Sequence, residues 1–431
     1  MRFEKQLAPL AKALRSDALH LNAYLAQLEA YFTPENQRIL AFLPEDGRFE
    51  RLQREASMLL ARYPKPSRRP ALFGVPVGVK DIFHVEGFAT HAGSKLPSRV
   101  LTGPESECVS QLKEAGALIL GKTVTTEFAY FGPGPTRNPY HVNHTPGGSS
   151  SGSAAAVGAG ICPLALGTQT IGSISRPASF CNAVGFKPTS GRISTKNVIP
   201  LSVTLDHIGF FTQDVAGALL AASILVKDWD QGATQVEKPV LGVPVGPYLE
   251  RASEEGLAHF QAVQEQLIEA GFEVKSIETM GNYDEIYEQH MNLVAFDAGA
   301  FHQDWYGTYG DRYHPKTVAL IEQGQGISAD QAEQSRAFRI AFRQKLHETM
   351  TDDKVSLWIT PPALGAAPVG LDSTGDPVMN LPWTYAGLPS VTVPAGFLEN
   401  GLPMGLQIVG DWQQDEQTLA WALQIEQLFQ T

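Results

Sequence analysis

The feature that most constrains this chain is residues 145–177, TPGGSSSGSAAAVGAGICPLALGTQTIGSISRP, in which small residues dominate and no charged side chain precedes Arg176. Small side chains let backbone segments approach one another closely. A flexible Gly/Ser linker would begin in a similar way, but the apolar run from Ala154 to Leu166 favours burial. This run is broken by glycines and Pro163, and it is shorter than the roughly 20 residues of a membrane-spanning helix. The segment therefore predicts a buried loop and helix, with no role in a membrane.

Two local interpretations of this segment involve other chemistry. Glycines that open a helix near Ala154 could bind a phosphate, although the Gly-Lys-Ser/Thr ending of a P-loop is absent. Residues 148–152 also match the G-x-S-x-G nucleophile elbow, with Ser150 as the nucleophile. That elbow should follow a strand, and residues 141–146 show no apolar alternation. Replacing Ser150 separates this interpretation from the one developed below.

Composition excludes several classes of protein. The chain has 431 residues, of which 43% are hydrophobic and 18% charged, as in a globular protein with a large core. Its 33 Lys and Arg against 45 Asp and Glu give a net charge of −12, which disfavours binding to nucleic acid or an anionic membrane. The three scattered cysteines indicate neither a disulfide framework nor a zinc site. We therefore expect a cytoplasmic protein that binds no metal.

The spacing of apolar residues predicts a helical N-terminal region followed by an α/β region. Apolar residues at helical spacing predict helices within 1–62, and Thr33-Pro34 predicts the start of a new helix. From residue 72, short apolar runs alternate with helical patterns, and a second such unit spans 239–277. The stretch 280–350 is predicted to be helical and to lie on the substrate side. We expect helices 1–62 to pack on a single domain formed by 63–431.

Three separated motifs lead to one interpretation. They are GGSSSG at 147–152, GTQTIGS at 167–173 and GVKD at 78–81. With these motifs the sequence resembles the amidase signature family, and LDHIG at 205–209 and GLPSVTVP at 387–394 extend the resemblance. It covers about 72–215 and 380–410. It implies an α/β fold with a mixed central sheet between layers of helices. It also implies hydrolysis of a carboxylic amide to an acid and ammonia or an amine, without a cofactor.

The resemblance also implies roles for particular residues. Lys80 matches the family's base, Ser149 its bridging serine, which follows a cis peptide bond, and Ser173 its nucleophile. Thr168 is a candidate to hold Ser149, and Arg176 could bind a substrate carboxylate or brace the loop. The oxyanion hole would be formed by the backbone N–H groups of Thr170, Ile171, Gly172 and Ser173.

The chemistry of serine explains why a lysine is needed. A serine hydroxyl is a poor nucleophile unless a base removes its proton. Lys80 ends the apolar run 73–79, and burial there would favour the neutral amine that can act as this base. The alternative for Lys80 is a surface position paired with Asp81.

The sequence departs from the commoner family motif GTDTGGSIR at three places. Gln169 stands for Asp, Ile171 for Gly, and Arg176 lies three residues after Ser173 instead of two. These differences indicate a subgroup similar to the single-domain bacterial malonamidases, acting on a small-molecule amide. Alternatives are the glutaminase component of a tRNA-dependent amidotransferase, which needs partner chains, an allophanate-type hydrolase, and a non-catalytic binding protein. A homodimer is an open expectation.

Overall fold

The computed structural model describes residues 4–232 and 237–429. The predicted ranges 1–62 and 63–431 therefore include a few residues outside this description. The helices of the described chain are α1 (Leu7–Ser16), α2 (Leu21–Ile39), α3 (Arg48–Arg62), α4 (Glu107–Glu114), α5 (Ser151–Gly158), α6 (Ser175–Phe180), α7 (Val215–Leu225), α8 (Glu254–Glu269), α9 (Tyr283–Tyr309), α10 (Pro315–Gln325), α11 (Ala329–Asp352), α12 (Leu381–Ala386) and α13 (Asp415–Glu426).

The strands form one large sheet. They are β1 (Pro76–Lys80), β2 (Leu118–Thr123), β3 (Leu164–Gln169), β4 (Val184–Lys187), β5 (His207–Thr212), β6 (Val240–Val245), β7 (Glu273–Glu278), β8 (Leu357–Thr360), β9 (Ser390–Phe397) and β10 (Pro403–Val409). Their order in the sheet is β2-β1-β3-β5-β4-β9-β10-β8-β6-β7.

The sheet is mixed in direction. At one end β1 pairs in parallel with β2 and β3, and at the other β6 pairs in parallel with β7 and β8. The strands between these two groups are antiparallel. The fold class is thus confirmed as α/β, with a large mixed sheet flanked by helices. The α/β alternation predicted from residue 72 onward includes α4–β2, and the unit predicted over 239–277 corresponds to β6–α8–β7.

The first three helices pack on the remainder of the chain through apolar stripes. In α1 the buried residues Leu7, Leu10 and Leu14 follow helical spacing, and the helix contacts α7, while α3 contacts β2. The guanidinium of Arg69 donates to the Leu14 carbonyl at the end of α1 over 2.8 Å. The division into N-terminal helices 1–62 and a single domain 63–431 stays a prediction.

The expected helix start at Thr33-Pro34 is wrong. Residues 21–39 form one continuous helix with Pro34 inside it. A proline leaves the carbonyl four residues earlier without its amide donor, and that residue, Ala30, is exposed, so water can bind the carbonyl. Phe32 and Ile39 are both buried, and their packing favours one helix across this point.

The carboxyl ends of two neighbouring strands bring separated motifs together. Lys80 is the last residue of β1 and Thr168 the penultimate residue of β3. Parallel pairing of these strands, with Val79 opposite Leu166, places both ends at one edge of the sheet. Helix α5, which starts directly after Ser149 and Ser150, packs on both strands. This packing requires Gly152, because a Cβ there would lie 2.2 Å from the Ala41 carbonyl oxygen.

The predicted helical stretch 280–350 contains α9, α10 and α11. Helix α9 packs against α10, α11 and α12. The described helices include none that is both long and apolar enough to span a membrane.

Candidate active site

Lys80 is fully buried, with 0% of its surface exposed. Its Nζ lies 2.8 Å from the Ser149 hydroxyl and 2.7 Å from the Thr168 hydroxyl. Burial lowers the pKa of Lys80 to about 7, against the opposing effect of the nearby Asp206 carboxylate. The alternative pairing with Asp81 is excluded by the geometry, because that carboxylate lies 2.7 Å from the amine of Lys122. Lys80 is thus a buried amine that can be neutral near pH 7.

Ser149 and Ser173 line one narrow cavity. Ser149 follows a cis peptide bond from Gly148, as the resemblance implies. Both side chains are largely buried, Ser173 with 8% of its surface exposed. Within the described ranges 4–232 and 237–429, no hydrogen bond joins the two hydroxyls. The direct contact expected between Ser149 and Ser173 therefore stays a prediction.

The side chain of Gln169 forms hydrogen bonds that hold the loop carrying Ser173 in place. The side-chain oxygen of this buried residue accepts the N–H groups of Ile174 and Ser175 over 2.7 and 2.9 Å. Its amide nitrogen donates to the Thr384 hydroxyl over 2.9 Å, and that hydroxyl donates to the Ile171 carbonyl over 2.7 Å. Sequence reasoning noted Gln169 as a departure from the motif but gave it no role. In the structure it fixes the turn around the predicted nucleophile.

The predicted oxyanion-hole residues occupy this same turn. Thr170, Ile171 and Ser173 line the cavity. Gly172 has no room for a side chain, because a Cβ there would lie 2.2 Å from the Asn380 amide oxygen. Outside the regular helices and strands of the described chain, no hydrogen bond uses the N–H groups of Ile171, Gly172 or Ser173. These donors are therefore available to a ligand.

Arg176 makes the bracing contacts that were one of its two expected roles, and its role toward a substrate stays a prediction. Its guanidinium donates to the carbonyls of Thr374 and Gly148 over 2.8 and 2.7 Å, so it braces the loop. Its Nη1 is buried and has no hydrogen-bond partner among residues 4–232 and 237–429. Burial lowers the pKa of Arg176 to about 10, so the group remains charged at neutral pH. Arg176 lines the cavity together with Ser173, and its guanidinium keeps one donor nitrogen without a partner among the described residues.

Two other hydroxyls lie near the site, those of Thr168 and Ser150. The hydroxyl of Thr168, the candidate to hold Ser149, contacts the same Lys80 amine that contacts Ser149, and its role in holding Ser149 stays a prediction. Ser150, the candidate of the elbow interpretation, is fully buried and donates to the Thr168 carbonyl over 3.2 Å. It follows no strand and is not among the residues that line the cavity in the described structure. This geometry disfavours Ser150 as a nucleophile.

A larger cavity of about 320 Å³ adjoins the first. The two share Phe131, Ile171 and Pro377 in their walls. The inner cavity measures about 10 Å³, close to the space that one water molecule needs. From α9, Tyr287 and Met291 contribute to the outer wall. Ile171, noted from the sequence as a departure from glycine, therefore lies where the two cavities meet.

Asp206 was missed by sequence reasoning. It follows a turn whose Leu201 lines the inner cavity, and its carboxylate accepts the Thr170 hydroxyl over 2.5 Å. Burial raises the pKa of Asp206 to about 6, although its hydrogen bonds and the charge of Lys80 oppose this. The available signal was its place in the motif LDHIG at 205–209.

In the described part of the chain, no three His, Cys, Asp or Glu side chains are grouped as metal ligands. Cys108, Cys162 and Cys181 are buried free thiols.

Comparisons with known proteins show which family the chain belongs to. The amidase family model matches residues 21–419. The A component of the glutamyl-tRNA(Gln) amidotransferase from Prochlorococcus marinus (strain MIT 9211) is 30% identical over 410 residues, covering 83% of this chain and 84% of that protein. A solved structure described as an amidase is 30% identical, with a TM-score of 0.88 and coverage of 98% of this chain and 100% of that one.

A second solved structure belongs to a study of a vestigial protein complex that reveals the evolutionary origins of an s-triazine catabolic enzyme. It is 26% identical, with a TM-score of 0.86 and coverage of 98% of both chains. The family model spans most of the chain, including the three motifs that are joined by the hydrogen bonds of Lys80. The chain therefore belongs to the amidase family, whose members hydrolyse amides.

Proposed function

We propose that this amidase hydrolyses its amide through an acyl-enzyme on Ser173, with Ser149 and Lys80 as the proton relay. The observation that carries the proposal is the buried amine of Lys80, which lies 2.8 Å from the Ser149 hydroxyl at the wall of the cavity that Ser173 also lines. Burial lowers the pKa of Lys80 to about 7, so a substantial fraction of this side chain is neutral near neutral pH. A general base works best when its pKa lies near the operating pH.

The proton path follows from the contacts of the amine. A neutral Lys80 can donate to the Thr168 hydroxyl and accept a proton from Ser149, because a hydroxyl both donates and accepts. As the Ser173 oxygen attacks the carbonyl carbon, its proton passes to Ser149, and the Ser149 proton passes to Lys80. When the carbon–nitrogen bond breaks, Ser149 protonates the leaving nitrogen and regains a proton from Lys80. Water then cleaves the acyl-enzyme by the same relay in reverse.

Backbone donors would stabilise the tetrahedral intermediate. The N–H groups of Thr170, Ile171, Gly172 and Ser173 lie on the turn that Gln169 and Thr384 brace. Donors that are held before reaction need no reorganisation as negative charge develops on the oxygen, and each contributes about 3–4 kcal/mol. These four groups are our candidates for the oxyanion hole.

Arg176 would select the substrate. Its guanidinium is charged, has an unpartnered Nη1, and belongs to a residue that lines the inner cavity; such a group favours a carboxylate over a neutral polar group. The small inner cavity also favours a small substituent beside the reacting carbonyl. We therefore propose a short-chain amide that carries a carboxylate.

A panel of amides tests both parts of the proposal. Malonamate, other short amides with and without a carboxylate, and aryl amides would be incubated with wild type, Ser173→Ala and Ser150→Ala. We expect hydrolysis by wild type and Ser150→Ala, a preference for the carboxylated amides, and no turnover by Ser173→Ala. Turnover by Ser173→Ala would contradict its role as nucleophile. Arg176→Gln should reduce kcat/KM for carboxylated amides more than for neutral ones, whereas an equal loss would indicate bracing alone.

A glutaminase component of a larger enzyme is the alternative that the curated relatives support, because the A components of glutamyl-tRNA(Gln) amidotransferases match over most of this chain. Purification from its native host distinguishes the two. Our proposal expects the chain to hydrolyse amides without partners. Activity on glutamine that appears only with two co-purifying chains would favour the alternative. An allophanate-type activity would appear as hydrolysis of allophanate in the same panel.

We also propose an oligomeric state and a cellular compartment for this protein. The buried free thiols suit a reducing compartment, so we propose a cytoplasmic enzyme. Light scattering of the purified chain tests the predicted homodimer.

A further inference from the structure

We propose that Asp206 is a positioning residue, which holds Thr170 in the wall of the active-site cavity and whose negative charge stabilises the protonated form of Lys80. This inference rests on the function proposed above, because it concerns the base of that reaction. It assigns a role to a carboxylate that makes no direct contact with the reacting atoms.

The contacts of Asp206 join two walls of the inner cavity. One carboxylate oxygen accepts the Thr170 hydroxyl over 2.5 Å, and the other accepts the N–H groups of Leu201 and Ser202 over 2.9 and 3.3 Å. Thr170 and Leu201 both line the cavity. A carboxylate that accepts several hydrogen bonds fixes its partners in position. Asp206 thus ties the turn that carries Ser173 to the loop at 201–206.

The position of Asp206 brings its charge close to Lys80. Asp206 directly precedes β5, in which His207 and Ile208 pair with Gln169 and Thr168 of β3, and the Thr168 hydroxyl lies 2.7 Å from the Lys80 amine. A negative neighbour favours the ammonium form of lysine, and Asp206 is the charged group that opposes the effect of burial on Lys80. The two pKa values, about 6 for Asp206 and about 7 for Lys80, are close together. Around neutral pH the carboxylate is therefore mostly ionised, while Lys80 is divided between its two forms.

The other titratable groups around Asp206 and Lys80 are either paired with another charge or neutral near pH 7. Asp81, next to Lys80, pairs with Lys122. His207, next to Asp206, is buried, and its pKa is lowered well below the usual value by burial and by the charges of Lys187 and Arg339. From α9, His290 faces Thr170, and burial lowers its pKa to about 3. Both imidazoles are thus neutral near pH 7, so neither carries a charge that would shift the pKa of Lys80.

The chain offers a matched control in Asp297. This buried carboxylate supports the same loop from α9, accepting the Ser202 hydroxyl over 2.5 Å and the Thr204 N–H over 2.9 Å. It is not among the charged groups that shift Lys80. Asp206→Asn and Asp297→Asn therefore remove comparable supports of the loop, but only the first removes a charge that acts on the base.

The test is the pH dependence of Ser173 labelling by a fluorophosphonate, which requires no knowledge of the substrate. In Asp206→Asn the amide can accept from Leu201 and Ser202 and donate to the Thr170 hydroxyl, so the contacts can be kept while the charge is lost. Loss of the charge should lower the pKa of Lys80. The acid limb of the labelling profile is the pH range in which the labelling rate falls as Lys80 takes up a proton. This limb should move to lower pH by about half a unit or more, because nearby charges shift pKa values by about 1 unit or more at close range.

The outcomes separate the two proposals. Asp297→Asn should keep the acid limb within about 0.2 pH unit of wild type. If Asp206→Asn is labelled with an unshifted limb, or one moved to higher pH, this inference is overturned while the proposed function stands. If wild type takes no label on Ser173, the proposed function fails first.

A second pair of variants tests the contact from Thr170, in case Asp206→Asn does not fold. Thr170→Val deletes the hydroxyl that donates to Asp206, and Thr170→Ser keeps it. We expect the labelling rate to fall about tenfold or more in Thr170→Val, since one misplaced oxyanion donor costs about 10²-fold, and to recover in Thr170→Ser. A Thr170→Val protein that is labelled as fast as wild type would overturn the positioning role.

Discussion

Replacing Lys80 by methionine should abolish activity and at the same time stabilise the folded protein near neutral pH. Burial lowers the pKa of Lys80 from 10.5 to about 7. The unfolded chain takes up a proton at this side chain below pH 10.5, whereas the folded chain does so only near pH 7. Between these values the wild-type folded state is penalised for holding Lys80 neutral, and its stability rises with pH.

The magnitude follows from the size of the shift. A difference of about 3.5 pKa units corresponds to about 5 kcal/mol at pH 7, at 1.36 kcal/mol per unit. Methionine avoids this cost but leaves the hydroxyls of Ser149 and Thr168 without a partner, which costs about 1 kcal/mol each. We expect Lys80→Met to be about 3 kcal/mol more stable than wild type at pH 7. This advantage should shrink by about 1.4 kcal/mol per pH unit as the pH rises toward 10.

Chemical denaturation at a series of pH values from 7 to 9.5 measures this difference, and fluorophosphonate labelling reports activity. Groups that titrate equally in both proteins cancel in the difference. Lys187→Met is the control, because burial lowers the pKa of Lys187 to about 7 as well. The amine of Lys187 contacts the carbonyls of Pro188 and Leu388 and lies outside the cavity wall described above. Its replacement should give a similar slope with pH and keep the labelling of Ser173.

Two results would refute this reasoning. A stability difference between Lys80→Met and wild type that stays constant from pH 7 to 9.5 would mean that Lys80 is not held neutral. Normal labelling of Lys80→Met would mean that the amine is not the base.

Three further predictions concern the loop and the cavity. Ser149→Ala should slow labelling of Ser173 by about 10²-fold or more, as expected for loss of a general acid–base group. Ser150→Ala should be labelled at a rate within about tenfold of wild type. A larger loss in Ser150→Ala than in Ser149→Ala would favour the elbow interpretation. Ile171→Gly should raise the activity on bulkier amides relative to small ones, because Ile171 lies in the wall that the two cavities share; an unchanged ratio of the two activities would contradict this. Gly172→Ala should reduce activity by about 10²-fold, because its Cβ would collide with Asn380 and displace the oxyanion donors, and wild-type kinetics would exclude that collision.

The sequence predicted the parts of the site that lie in short local motifs. The GVKD, GGSSSG and GTQTIGS motifs each carry a residue that meets the others at one edge of the sheet. The strands and helices of 239–277 were predictable because their apolar periodicity is strong. Thr33-Pro34 misled the prediction, because packing of residues on both sides of Pro34 outweighed the local preference of proline.

The remaining parts of the site depend on contacts between distant residues, which one sequence does not reveal. Thr384 lies more than 200 positions from Gln169, yet the two brace the turn before Ser173. Tyr287 and Met291 reach the outer cavity from α9, where periodicity predicts a helix but not the face that meets the site. The bracing contacts of Arg176 and its unpartnered nitrogen also depend on residues far away in the sequence, such as Thr374.

The central claim is that Ser173 forms the covalent intermediate. Mass spectrometry of the fluorophosphonate-labelled wild-type chain, with the adduct mapped by fragmentation, tests it most directly. We predict a single adduct on Ser173, absent from Ser173→Ala and strongly reduced in Lys80→Met. An adduct on Ser150 or Ser149, or one that persists at full yield in Lys80→Met, would contradict the account.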